Sequence, residues 1–293
     1  MIAINGQELN KKQFPDGTYL FRCEPGEDIR IQWRYESDEE LFALHCVARH
    51  LREAGARHLV LEMPYLPNAR MDRVKSADEV FTLKYFAEWI NALRFDAVEV
   101  TDVHSDVGRA LIDRIVAIPP KHALETVLER IGRERLVLYF PDEGAQKRYA
   151  DLLSGLPFCY GRKRRDWKTG KILELEIVDG SCNAGSGSLG AAVDGTSGDR
   201  HLEGATVLMV DDICSYGGTF FFSAQALKRA GAKQIYSYAT HTEASLLSEK
   251  SKYLPMLESG EVEKHFTTDS LVRPEHDRIE VVPNRERVER GGE

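Results

Sequence analysis

Apolar, β-branched runs alternate along the chain with stretches whose apolar positions recur every three or four residues. Residues 58–64 (HLVLEMP), 96–105 (DAVEVTDVHS), 135–142 (RLVLYFPD), 205–212 (ATVLMVDD) and 233–241 (KQIYSYATH) read as strands that end in polar residues. Between them, residues 37–55, 81–94, 122–132 and 220–231 carry the helical spacing. Such alternation predicts an α/β fold with mostly parallel central sheets. Ligands in these folds bind at the C-terminal ends of the strands, which makes the polar strand ends the first place to look. The proline pair in AIPPK predicts a boundary between two α/β halves, residues 1–119 and 120–293. Residues 179–199 are rich in Gly and Ser and lack periodicity, so a mobile surface loop is expected there.

Composition narrows the function. A chain of 293 residues with 42% hydrophobic and 29% charged content can bury a substantial core. A formal net charge of -8 argues against a general nucleic-acid binder, because nothing offsets phosphate repulsion over a broad surface. No segment approaches the roughly 20 apolar residues of a membrane span, and the first residues lack a signal-like apolar run, so a cytoplasmic protein is expected. The five cysteines form no C-x-x-C pair and read as free thiols.

The most informative stretch is VLMVDDICSYGGT, residues 207–219. A buried strand leads to Asp211 and Asp212, and Gly217, Gly218 and Thr219 lead into a helix. A loop of this kind offers backbone N–H groups and a positive helix end to a phosphate, with glycines allowing close approach. Phosphate binding explains the glycines only. Two carboxylates suit a sugar diol or a magnesium ion, so a phosphorylated sugar satisfies both halves. The plainer alternative is a turn that Asp-Asp opens and Gly-Gly closes.

This stretch resembles the ribose-5-phosphate motif shared by type I phosphoribosyltransferases and ribose-phosphate diphosphokinases. FPDG (14–17), PYLPNARMDR (64–73), DVHS (102–105), PDEG (141–144), GRKRR (161–165) and YATH (238–241) resemble diphosphokinase segments in the same order. The transferases lack the first half of that series. The resemblance therefore points to the diphosphokinase family and implies two phosphoribosyltransferase-like α/β domains. It also implies transfer of a diphosphoryl group from ATP to ribose 5-phosphate, with Mg2+ as cofactor.

By the same resemblance, Phe14 and Asp16 meet the adenine of ATP across a subunit boundary, so a homo-oligomer, at least a dimer, is expected. Arg70, Asp72 and Arg73 serve ATP, and two guanidiniums so spaced suit forked contacts to phosphates. His104 contributes to ATP binding and catalysis, with Asp102 two residues earlier able to orient it. His104, Asp142, Asp211 and Asp212 are implied around magnesium. Asp211, Asp212, Ser215, Tyr216, Gly217, Gly218 and Thr219 hold ribose 5-phosphate. Lys163 and Arg165 correspond to catalytic residues on a flexible arm, although a basic run is otherwise most simply a solvated face.

The chain is a divergent member by this reading. Ser215 stands where members commonly have Asp, Tyr216 where they have Thr or Ser, and Thr18 where many have Glu. The segment after YATH lacks its usual Gly, and residues after Arg73 lack the basic residues of allosteric members. Two other functions fit parts of the chain. A phosphoribosyltransferase would leave ARMDR, DVHS and PDEG unexplained, and a catalytically silent regulatory homologue would be expected to lose the charged residues that persist here.

Overall fold

A computed structural model describes residues 1–165, 172–179, 202–271 and 275–285. Nearly all of the Gly/Ser-rich segment, residues 180–199, and the charged end from residue 286 lie outside the described residues. The chain divides into two compact units, Met1–Pro120 and Lys121–Glu293.

The first unit contains strands β1 (Ile2–Ile4), β2 (Gln7–Glu8), β3 (Asn10–Gln13), β4 (Tyr19–Arg22), β5 (Asp28–Trp33), β6 (His58–Glu62), β7 (Ala97–Thr101) and β8 (Ile115–Ile118). Helices α1 (Glu39–Glu53), α2 (Thr82–Ala92) and α3 (Asp106–Leu111) connect them. The main sheet has the order β2-β1-β5-β6-β7-β8, in which β5 to β8 are parallel and β1 runs antiparallel to both its neighbours. Alternation along β5 and β6 explains its two faces. Ile29, Ile31, Trp33, Leu59 and Leu61 enter one core with Leu44, Val47 and Leu51 of α1 and Leu83, Phe86 and Ile90 of α2. Arg30, Gln32 and Glu62 lie on the other face, where Arg30 grips Glu99 through two bonds of 2.8 and 3.1 Å. β3 and β4 form a separate two-stranded ribbon with FPDG at its tip.

The second unit is covered on both faces. It comprises α4 (Lys121–Ile131), β9 (Leu136–Phe140), α5 (Glu143–Tyr149), β10 (Phe158–Arg165), β11 (Ile172–Asp179), β12 (Thr206–Cys214), α6 (Gly218–Arg229), β13 (Gln234–Thr242), α7 (Leu254–Glu258), β14 (Lys264–Thr268) and β15 (Ile279–Val282). Its sheet has the order β11-β10-β9-β12-β13-β14-β15, parallel throughout except for β10 with β11. Successive residues of the central strands enter opposite cores. Val137, Tyr139, Val207 and Met209 pack with Phe220, Ala224 and Leu227 of α6, whereas Leu136, Leu138, Phe140, Leu208 and Val210 pack with Leu124 and Val127 of α4 and Tyr149 of α5. A strand buried on both faces reads as a continuous apolar run, which is why VLMV carries no alternation. Each such side chain contributes about 1.5–3 kcal/mol relative to exposure.

One expectation needs adjustment. β12 extends through Cys214, because Ile213 and Cys214 still pair with His241 and Thr242 of β13. Asp211 and Asp212 therefore lie within the strand rather than at its last residue. Within GRKRR, Gly161–Arg165 continue β10, paired antiparallel with β11.

Candidate functional site

Asp211 and Asp212 follow one another near the end of β12, with their carboxyls in electrostatic contact. Asp212 lies on the α5 side, where Arg148 of α5 pairs with its carboxylate at 2.6 Å. Asp211 lies on the α6 side and accepts from the Asp212 N–H at 3.0 Å. Burial, and then the neighbouring carboxylates of Asp212 and Asp142, push the Asp211 carboxyl well above the usual carboxylate range. The Tyr139 hydroxyl is also driven up by burial, with Asp142 and Asp211 adding to it. Asp142 caps α5, accepting from the Ala145 N–H at 3.1 Å. The structure thus brings Asp142, Asp211 and Asp212 into electrostatic contact, and Arg148 is a partner that sequence reasoning missed.

β12 passes into α6 through Ser215, Tyr216 and Gly217. Gly217 caps the helix at φ 73°, the left-handed region that a side chain rarely adopts. An added Cβ there would stand 2.4 Å from the Cβ of Tyr253, so this glycine is required twice over. Gly218, by contrast, faces open space. The Phe221 N–H makes an early bond of α6, to Gly217 O at 2.9 Å. The preceding first-turn N–H groups have no intrahelical acceptor, which leaves them available to an anion beside the open glycine. Tyr216 is 46% exposed. Ser215 Oγ donates to Glu243 Oε2 at 2.6 Å, so the serine expected to serve a phosphate already serves a carboxylate.

Beneath the loop runs a buried polar chain. Tyr253 O–H donates to Ser237 Oγ at 2.6 Å, Ser237 Oγ meets His265 Nδ1 at 2.7 Å, and His265 Nε2 meets Thr242 Oγ1 at 2.9 Å. Burial lowers the His265 pKa to about 3, so the ring is neutral. A depressed histidine stabilises the fold fully above its unfolded value near 6.5 and progressively less as pH falls from there toward 3. This residue alone is expected to remove about 1.4 kcal/mol per pH unit over that window. Urea melts of wild type and His265→Gln from pH 7 to 4 should therefore differ in slope; parallel pH profiles would contradict a buried neutral ring.

The remaining predicted residues lie in the first unit. Asp72 is 8% exposed and holds Arg73 through Oδ1–Nε at 2.8 Å and Oδ2–Nη2 at 3.2 Å. Arg73 lowers the Asp72 pKa most, with Ser105 and His104 acting in the same direction, so ARMDR and DVHS converge. The half-buried His104 acts on the Asp72 carboxylate. Asp102, the expected orienting partner, sits at φ 47° with its N–H on Ile118 O at 2.9 Å. Arg70 is exposed. At the ribbon tip, Phe14 is 43% exposed, and Asp16 accepts from Thr18 Oγ1 at 2.7 Å and Thr18 N at 3.0 Å, which lowers its pKa. His104 and Asp142 belong to different units. Among the described residues, no three His, Cys, Asp or Glu side chains form a ready metal cage. Cys23, Cys46, Cys159 and Cys214 are free, and no described helix is long and apolar enough to cross a membrane.

The two α/β units, with a carboxylate-bearing strand leading through a glycine turn into a helix, define a phosphoribosyltransferase-like protein. The crystal structure of phosphoribosylpyrophosphate synthetase from Mycobacterium smegmatis has this fold, superposing with a TM-score of 0.73 at 20% identity over 94% of this chain and 85% of that one. The ribose-phosphate pyrophosphokinase of Pyrococcus abyssi is 32% identical over 249 residues, covering 82% of this chain and 79% of its own. That of Thermococcus kodakarensis is 31% identical over 242 residues, 80% of this chain and 77% of its own. No family model matches the sequence. The chain belongs to the ribose-phosphate pyrophosphokinase family.

Proposed function

We propose that this chain transfers the diphosphoryl group of MgATP to the 1-hydroxyl of ribose 5-phosphate, giving 5-phosphoribosyl 1-diphosphate and AMP. The observation that carries this reading is the β12–α6 junction, where the carboxylates of Asp211 and Asp212 adjoin an open glycine and the free N–H groups of a helix start. The N–H groups at 216–219 and the Thr219 hydroxyl receive the 5-phosphate. Asp211 and Asp212 face the ribose 2- and 3-hydroxyls. Asp212 reaches them already oriented by Arg148, and Asp211 is held close to two other acids.

The donor set suits magnesium, which prefers oxygen ligands and usually takes one or two carboxylates together with substrate phosphates and water. Asp211 and Asp142 would hold it here, since their mutual repulsion is relieved by a cation, with Asp212 and His104 as further candidates. Bound there, magnesium supplies positive charge against the phosphate oxygens. Arg70 and Arg73 grip the ATP phosphates, Asp72 fixes the Arg73 guanidinium in place, and Phe14 and Asp16 of a neighbouring copy meet the adenine. The ribose 1-oxygen forms its bond to the β-phosphorus as the bond to the α–β bridging oxygen breaks. AMP keeps that oxygen, and no covalent enzyme intermediate forms. Lys163 and Arg165 offset the charge spreading over the transferring group, so catalysis is positioning and electrostatics. We place this activity in the cytoplasm, whose reducing conditions suit the free cysteines.

The direct test incubates the protein with magnesium, ATP and ribose 5-phosphate and measures AMP and phosphoribosyl diphosphate. Absence of both products would favour a silent homologue. Because the FPDG ribbon stands outside its own sheet with Phe14 partly exposed, a site shared between copies is expected. Specific activity should fall on dilution in step with loss of the oligomer in light scattering; a fully active monomer would refute the shared site.

A further inference from the structure

The segment following β13 grips the phosphate loop at three consecutive residues. Glu243 Oε2 accepts from Ser215 Oγ at 2.6 Å and from Ser245 Oγ at 3.2 Å, while the Glu243 N–H donates to Cys214 O at 2.8 Å. Ser251 Oγ donates to Tyr216 O at 3.1 Å. Tyr253 fills the space that a side chain on Gly217 would occupy. Every residue between β12 and α6 is thus held from the eleven-residue stretch 243–253, on the side away from the open face at Gly218.

A carboxylate this close to a phosphate loop opposes the ligand's charge unless it does something for the loop itself. Glu243 does so through both its backbone and its side chain: it is bonded to the last residue of β12 and to the first residue of the loop. We infer that Glu243 is a positioning residue for ribose 5-phosphate binding, which fixes Ser215 and through it the N–H groups at 216–219, while its charge weakens phosphate affinity. The inference rests on the reading of residues 215–219 as the 5-phosphate loop and extends it to a residue with no ligand contact of its own.

The two effects separate by substitution. Glu243→Ala removes the charged acceptor of Ser215, leaving only Ser245 Oγ at 3.2 Å, and is expected to raise KM for ribose 5-phosphate about tenfold, the scale of one charge-assisted hydrogen bond. Turnover should stay within about twofold, because the 5-phosphate is remote from the reacting oxygen and is bound alike in ground and transition states. KM for MgATP should not change. Glu243→Gln keeps an amide oxygen for Ser215 and loses the charge, so its KM for ribose 5-phosphate should equal or fall below wild type, and added salt should narrow that difference. A merely structural role would not give rescue by glutamine with a gain in affinity. An unchanged KM in Glu243→Ala, or an equal rise in both variants, would overturn the inference. Hydrogen exchange of the 216–219 amides in ligand-free protein decides the positioning role without turnover: faster exchange is expected in Glu243→Ala and not in Glu243→Gln, and no change in either overturns it. Should wild type form no phosphoribosyl diphosphate, the reaction assigned above fails, and exchange still reports on Glu243.

Discussion

Lys163→Ala is expected to lower the turnover of diphosphoryl transfer by roughly 10²- to 10³-fold, the usual loss for one preorganised electrostatic donor. KM for ribose 5-phosphate should barely move, because the charge that Lys163 offsets is greatest on the transferring group in the transition state. Lys163 lies in β10 opposite Leu175 of β11, two residues before Arg165, in a ribbon extending the sheet beyond β9. The strand gives the basic residues a defined origin beside the strand end that bears Asp142. Steady-state kinetics at varied ribose 5-phosphate, with folding checked by circular dichroism, tests this. Near-native turnover would reduce the basic run to a solvated face.

Arg148→Ala should cause the largest loss of stability among single changes at the site. Its 2.6 Å partner Asp212 has a side chain only 7% exposed, and that of Arg148 is 21% exposed. Removing the guanidinium strands a buried carboxylate close to Asp211, and breaking such a pair costs about 3–5 kcal/mol. The melting temperature should fall on the order of 10 °C for a unit of this size. Adding Asp212→Asn to Arg148→Ala should recover most of that loss, since the stranded charge disappears with it. Differential scanning calorimetry of the three variants measures both effects; an Arg148→Ala melt at the wild-type temperature would mean that the pair contributes nothing.

β9 and β12 were legible because strands buried on both faces of a parallel sheet are continuous apolar runs, as LVLYF and VLMV are, whereas β5, central in the first sheet, was not marked because its apolar residues alternate with Arg30 and Gln32. The strand, turn and helix start at residues 207–219 were legible because an apolar run, a Gly-Gly pair and a following helical spacing mark each part in turn. The N-terminal strands β1 to β4 were not. They are two to four residues long, and β2 and β3 are wholly exposed, so they carry no periodicity to detect. β10 was hidden by its charge, because four consecutive basic residues, Arg162 to Arg165, break the apolar run that marks a strand. Arg148 had a detectable signal: Asp212 shares its parity with Leu208 and Val210, which pack toward α5, and Arg148 is a basic residue in that helix. Glu243 and Tyr253 had none, since their partners are set by how the chain returns after β13, a tertiary fact with no local pattern.

The left-handed turn at Gly217, closed from below by Tyr253, sets when conformational freedom is given up. Ordering the backbone of a loop takes about 1–2 kcal/mol per residue. A floppy three-residue loop would surrender that entropy upon meeting its ligand, and affinity would drop accordingly. Here Ser215, Tyr216 and Gly217 surrender it during folding, when the surrounding core can absorb it. Association of the sugar phosphate proposed to bind here then starts from a shape already made, and its binding free energy is left for recognition.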